Sequence, residues 1–406
     1  MKTAIVLPSD ADSSGRSFDE SEIDQLQRVI ASGILNCTKG NAVRSFEARF
    51  AEWLGTAHCR CVSSGTAAIH TAVAAIDPEP GDEIISSPIT DMGAITPIIY
   101  QTAIPVFADV DPVTFNITAE AIKQKITRRT RAVIVTHLFG NPCELGPILD
   151  LCNSHDIPVI EDCAQAYGAR YRGRPVGTWG KIGCFSLQQG KHMTTGEGGM
   201  VVTDDQDLER RMRLFIDKAW GYGDERPDHY FLAPNYRMTE LQGAVALAQL
   251  DKLDQMIEQR VSMAERLTER ISDVPGIMTP VIRPDSRHTY WKYPLIIDEK
   301  VIAGGVDTFA KQLRDRGVYC APRYVQKPAF ECQVLRDRLT FGRSHFPFEG
   351  PHRAEDPPIV YDRAETPGTI RALSHIVVLP WNEKYVLEHI DFVSEVVREA
   401  AVKLAA

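Results

Sequence analysis

Between Asp82 and Ile160 the chain alternates short apolar, β-branched runs with amphipathic stretches, and this rhythm constrains the fold more than any other feature. Residues 83–85, 106–107, 132–135 and 158–160 read as strands. Helical spacing lies between them, around 94–100, 118–126 and 145–153. Strands that alternate with helices pair into a mostly parallel sheet through right-handed crossovers, with helices sandwiching it. The class is therefore α/β. At 406 residues the chain is long enough for two lobes. The expected division is a large domain over 1–255 and a smaller C-terminal α+β domain over 256–406.

Open α/β sheets bind ligands at the carboxyl ends of their strands. Glu161 and Asp162 stand where the run 158–160 ends, so both acids are site candidates rather than surface charges. A second strand-like run, 183–187, leads to Lys191 and then to Gly196-Glu197-Gly198-Gly199. A lone lysine in a loop ordinarily faces solvent. This one follows a buried strand, sits among small and polar residues, and precedes glycines that let backbone pass close to a ligand. Upstream, a short strand at 59–62 meets Ser63-Ser64-Gly65-Thr66 and an alanine-rich helix over 67–76. Free N–H groups at such a helix start bind anions, although the same residues also make an ordinary N-cap.

Composition removes several function classes. A net charge of −9 with no basic cluster argues against nucleic acid. The stretch 1–18 does not read as a signal peptide, and no run reaches the roughly 18 apolar residues of a membrane span. Nine cysteines lack zinc-site spacing and read as thiols of a reduced compartment. The expectation is a soluble cytoplasmic protein with no metal, nucleic-acid or membrane partner.

Elsewhere the spacing predicts helices over 19–31 and 43–53, a strand at 200–203, a helix at 206–215 and a long helix from about 239 to 271. Between them, 219–237 is an aromatic, glycine- and proline-rich irregular segment of the kind that usually carries function. Asn235, near its end, reads by itself as the N-cap of the helix that follows. Strands at 293–297, 318–320 and 376–380 and a closing helix at 386–402 complete the small lobe.

The run Glu161-Asp162-Cys163-Ala164-Gln165-Ala166-Tyr167-Gly168-Ala169, the Phe185-Ser186 strand, Lys191 and the Gly-Glu-Gly-Gly turn together resemble the DegT/DnrJ/EryC1/StrS family of sugar and aminocyclitol aminotransferases. The likeness runs in order from about Gly33 to about Leu250. It implies the aspartate-aminotransferase-like type I fold and the cofactor pyridoxal 5′-phosphate. By the same resemblance Lys191 is the catalytic lysine that joins the cofactor aldehyde and then carries protons, and Asp162 is the acid that holds the pyridine nitrogen protonated. Gln165 faces the ring hydroxyl and Ala164 underlies the ring. Gly65, Thr66 and Ser186 hold the phosphate, together with Asn235 of a neighbouring subunit in a homodimer.

One stretch departs from the family pattern. An aromatic residue commonly follows the threonine of the 89–94 loop and covers the ring, but here the sequence is Thr90-Asp91-Met92-Gly93. Met92 is the expected substitute, and Asp91, Met92 and Tyr324 are expected to face substrate. Residues 324–368 are read as the specificity segment. The implied reaction moves an amino group from glutamate or glutamine to a keto sugar, nucleotide-linked, or a keto cyclitol, in natural-product or surface-polysaccharide biosynthesis. The run Gln188-Gln189-Gly190 is somewhat more similar to cyclitol-type members. A dehydratase or dehydratase–aromatase on the same scaffold and a non-catalytic regulatory protein are the competing readings.

Overall fold

The computed structural model describes residues 5–405; positions 1–4, at the head of the 1–18 stretch, and position 406 lie outside it. The central sheet has seven strands in the order His58–Val62, Gly199–Thr203, Ile182–Ser186, Val159–Asp162, Thr130–Thr136, Glu83–Ser86, Ile104–Phe107. The last five pair parallel, whereas Gly199–Thr203 runs antiparallel to both of its neighbours. Four of the five inner strands are buried along their whole length, and Thr130–Thr136 is buried from Ala132 onward, as a sheet covered on both faces requires.

Helix Gly65–Ile76 lies on one face and is buried from Ala67 onward, packing Ala68, Ala72 and Val73 on Ile84, Ile134 and Ile160. The other face carries the larger core, in which Phe50 of helix Ala42–Leu54 is fully buried. Phe50 meets Phe185 edge-on with ring centroids 5.2 Å apart, and it also touches Phe46, Trp53 and Tyr167.

The second sheet is wholly antiparallel, in the order Ile277–Met278, Lys292–Ile297, Ile376–Pro380, Ala321–Pro322. The strand expected at 318–320 is displaced onto Ala321–Pro322. Val318 N–H still donates to Leu313 O at 3.0 Å, so this stretch closes the end of helix Gly305–Arg314 before any ladder can begin.

Helix Glu240–Ile271 belongs to both lobes. Leu250, Leu253, Met256 and Ile257 lie in the large core, while Met263, Leu267 and Ile271 lie in the small one. A boundary drawn at 255/256 thus falls inside a continuous helix. Its N-cap is Thr239, in a capping box with Gln242. The N-cap reading of Asn235 is therefore incorrect, because the cap lies four residues later. Segment 324–368 also packs away from the small sheet. Phe330, Leu335 and Phe348 close an apolar cluster with Ile95, Ile99, Ile104 and Phe107 at the large sheet's edge.

All nine cysteines are free. Among the described residues no helix is long and apolar enough to cross a membrane. Truncating Phe50 to alanine would empty the aromatic contact between helix and sheet. Phe50→Ala is expected to destabilise the fold by about 3–5 kcal/mol, read as a lowered urea midpoint with an unchanged slope.

Candidate active site

A cavity of about 420 Å³ opens where Val159–Asp162 and Ile182–Ser186 end and helix Gly65–Ile76 begins. Nine of the residues singled out in the sequence line it: Gly65, Thr66, Asp91, Asp162, Ala164, Gln165, Ser186, Lys191 and Tyr324.

The pleat explains why only one of the two adjacent acids arrives. Successive strand residues point to opposite faces, so Asp162 turns toward the cavity and Glu161 away from it. Glu161 accepts N–H bonds from Gly177, Trp179 and Gly180 at 2.7–2.8 Å and pairs with His137 Nε2 at 3.1 Å. It is a structural anchor for the 177–180 turn, which corrects its reading as a site acid. Cys163 lies near this pair, but burial pushes its thiol well above the usual range. Both Glu161 oxygens are already taken by the turn, so the group is not a metal centre.

Asp162 is buried and accepts Ala164 N–H at 3.1 Å. Burial raises its pKa, against the downward pull of that bond and of Lys191. Lys191 feels the same desolvation with opposite sign, which lowers its pKa to about 8 despite the attraction of Asp162 and Asp91. Near neutral pH the amine is therefore still mostly protonated but keeps far more of the neutral form, the state in which it can attack a carbonyl, than an ordinary lysine would.

At the other end, Ser64 accepts Ala67 N–H at 3.0 Å, so the ordinary N-cap of this helix exists, and it is Ser64. Gly65 and Thr66 are left at the cavity wall. A Cβ on Gly65 would stand 2.7 Å from Ser186 Cβ and 2.9 Å from its Oγ. Glycine is required because the helix start presses against the strand end. Gly65, Thr66 and Ser186 thereby form a compact hydroxyl and N–H cradle suited to an anion.

Gln165 Oε1 accepts Phe139 N–H at 2.8 Å, and its Nε2 approaches Tyr324 OH at 3.4 Å. Tyr324 reaches the cavity through a left-handed backbone: Arg323 and Tyr324 have φ of 62° and 44°. This costs non-glycine residues on the order of 1 kcal/mol each, and the bond from Arg323 N–H to Ile376 O at 2.9 Å helps hold it.

Two expectations meet a different arrangement. Asp91 caps the short turn Met92–Ala94 through Gly93 N–H at 2.7 Å. That turn directs Met92 into the apolar cluster of Ile95 and Phe330, so Met92 does not line the cavity. Of segment 324–368, Tyr324 is the part that reaches it. Asn235 is exposed and outside the cavity of its own chain, in a segment pinned beside the site by Ser63 N–H to Tyr236 O at 2.8 Å.

Trp291, Gln188, Thr90 and Glu197 also line the cavity. Trp291 carried no sequence signal, since it lies 100 positions after Lys191 within a run that reads as the approach to a strand. A second cavity, of about 510 Å³, separates the edge strand Ile104–Phe107 from residues 356–366. Its charges are matched internally, Arg353 with Glu83, Arg128 and Arg129 with Asp356, and Lys125 with Glu365. It offers no comparable set of reactive groups.

Residues 16–348 match the DegT/DnrJ/EryC1/StrS aminotransferase family. The spore coat polysaccharide biosynthesis protein SpsC of Bacillus subtilis is 36% identical over 69% of this chain and 74% of its own length. L-glutamine:scyllo-inosose aminotransferase of Streptomyces griseus is 34% identical over 72% of each chain. The crystal structure of the aminotransferase TlmJ from Streptoalloteichus hindustanus superposes with a TM-score of 0.82 at 29% identity, covering 97% of this chain and 99% of that one. The extended sequence match and the shared architecture lead to one conclusion: the chain belongs to the DegT/DnrJ/EryC1/StrS aminotransferase family and is an aminotransferase.

Proposed function

We propose that the chain uses pyridoxal 5′-phosphate to move an amino group from glutamine or glutamate to the ketone carbon of a nucleotide-linked keto sugar or a keto cyclitol. The observation that carries this reading is the single cavity in which a desolvated amine, a buried carboxylate and an anion cradle converge. The donor set fits the cofactor. Gly65, Thr66 and Ser186 would hold its phosphate, Asp162 its ring nitrogen, Gln165 its ring hydroxyl and Lys191 its aldehyde. Ala164 is small enough to lie against the ring, and Trp291 and Tyr324 supply aromatic walls that the 90–93 loop does not. Bound there, the cofactor would supply an electron sink for the bond broken at the substrate carbon.

The chain's own groups do the rest. Asp162, kept from water, stabilises positive charge on the ring nitrogen more strongly than an exposed acid could. Lys191 in its neutral form takes the proton from the donor's amine-bearing carbon and returns one on the acceptor side. Tyr324 and Asp91 bring a hydroxyl and a carboxylate to the cavity wall, where they suit a polyhydroxylated acceptor. Relatives that act on GDP-linked sugars and on inososes support both acceptor classes.

A second copy of the chain would complete the site. Supporting this are Asn235, exposed beside the cradle, and the exposed apolar side chains of Leu232, Tyr222, Tyr230 and Leu35, with Leu232 96% exposed.

The first test is the absorption spectrum of the purified protein with pyridoxal phosphate, before and after L-glutamine or L-glutamate. A visible band that the donor bleaches is expected, whereas a band indifferent to every donor would favour dehydration chemistry. Lys191→Ala should lose the donor-dependent change and at least about 10²–10⁴-fold in rate, and Asp162→Asn on the order of 10²-fold. Uptake of cofactor by the cofactor-free protein should quicken as pH rises through about 8, because only the neutral form of Lys191 reacts. A rate flat across that window would contradict the assignment. Mixing Lys191→Ala with Asn235→Ala subunits should restore activity at roughly a quarter of the sites. No restoration on subunit exchange would place Asn235 outside a shared site.

A further inference from the structure

Trp291 is more than a wall of the cavity. Lys191 Nζ stands 4.1 Å from the centroid of its ring. The indole Nε1–H donates to the carbonyl of Gly190 at 2.6 Å. Because Gly190 precedes Lys191, the ring is locked to the same turn that carries the amine it faces. Tyr324 meets the indole edge-on at 6.2 Å. A second ammonium, Lys292 Nζ, lies 5.1 Å from the same ring centroid, and Asp10 Oδ2 matches its charge at 2.7 Å. Gln189 Nε2 in turn donates to Asp10 O at 3.1 Å. The N-terminal segment, the lysine turn and the start of strand Lys292–Ile297 are thus joined around one indole.

We infer that Trp291 is a positioning residue that holds the Lys191 ammonium against its π face whenever that amine is not covalently joined to the cofactor, with Asp10 and Lys292 setting the strength of the hold. The inference rests on the cofactor reading above. An aromatic face attracts cations, tryptophan most strongly, and the attraction grows as water is excluded. Two cations on one ring would compete. Asp10 neutralises Lys292 and leaves the ring's field to Lys191. An amine parked in this way stays within reach of the reacting carbon instead of swinging into solvent, so the entropy of repositioning it is already lost before each proton transfer. The charged groups facing Lys191 are Asp162 from the sheet, Asp91 from the 90–94 loop, Lys292 and Asp10. His192, the next residue, faces away and contacts Thr289 O at 3.0 Å.

The test uses the full-length protein without cofactor. Trace acetylation of Lys191 by acetic anhydride, followed against pH by mass spectrometry, gives the titration midpoint of the amine. Tryptophan bearing one to four ring fluorines, placed only at position 291, weakens the face with little change in shape. The midpoint is expected to fall by roughly half to one pH unit across the series. Asp10→Asn should lower it as well, by freeing the charge of Lys292, and Lys292→Met should raise it. A midpoint indifferent to fluorination overturns the inference, as does a shift of the same sign in the Asp10 and Lys292 variants. Pyridoxal phosphate titrated into the same wild-type samples separates the two claims. A missing absorption band would overturn the cofactor reading, whereas a normal band beside a flat fluorination series overturns this inference alone.

Discussion

Arg260 fixes the geometry on which the site depends. It lies about two-thirds of the way along helix Glu240–Ile271, where the helix passes from one core to the other, and it is wholly buried. Its guanidinium donates to Trp381 O at 2.6 Å and to Glu383 Oε2 at 2.8 Å, and Trp381 Nε1–H donates back to Arg260 O at 2.9 Å. A buried charge without such partners would cost several kcal/mol. The helix shared by the two cores is therefore tied to the segment that follows strand Ile376–Pro380, at a point where slippage would strand an ion. This matters because the cavity draws on both. Lys191, Asp162 and the anion cradle come from the large sheet and its loops, whereas Trp291 and Tyr324 arrive after the long helix.

Within the cavity, desolvation acts on an acid and a base at once. It raises the pKa of Asp162 and lowers that of Lys191, and their mutual attraction opposes both shifts. Each shift is thus a balance between burial and the attraction of the opposite charge. A cationic ring beside Asp162 would favour its ionised form, and the same cation would disfavour a charged Lys191. Two side chains with ordinary chemistry are thus both displaced from their usual titration ranges by their surroundings.

Much of this was legible in the sequence where local rules decide. Strand–helix alternation pointed to the parallel sheet, because crossovers admit few topologies, and the apolar runs 158–160 and 183–187 marked the strand ends that Asp162 and Lys191 follow. What escaped was whatever depended on distant chain. Glu161 and Asp162 are equivalent as letters, and only the pleat and the 177–180 turn separate them. Met92 stood in the position of a lid, but the Asp91 cap turns it into an apolar cluster formed with Phe330, more than 200 residues onward. Trp291 carried no motif, and its importance comes from lying over Lys191. For Asn235 the sequence also allowed a cap, and only the structure shows that the cap is Thr239, in a box with Gln242, four residues later.

The sheet has two outer strands, and both are spoken for within the chain. Along Ile104–Phe107, Tyr361 OH donates to Pro105 O at 2.6 Å, and Phe330 and Tyr361 lie across Phe107. Proline at 105 also has no N–H to offer an incoming strand. Along His58–Val62, Glu47 takes the Cys61 N–H at 2.8 Å, and Arg237 bridges Val62. Edge strands left open recruit further strands and seed runaway polymerisation. Here that route is closed at both margins. A central sheet finished in this way does not grow strand by strand into a ribbon.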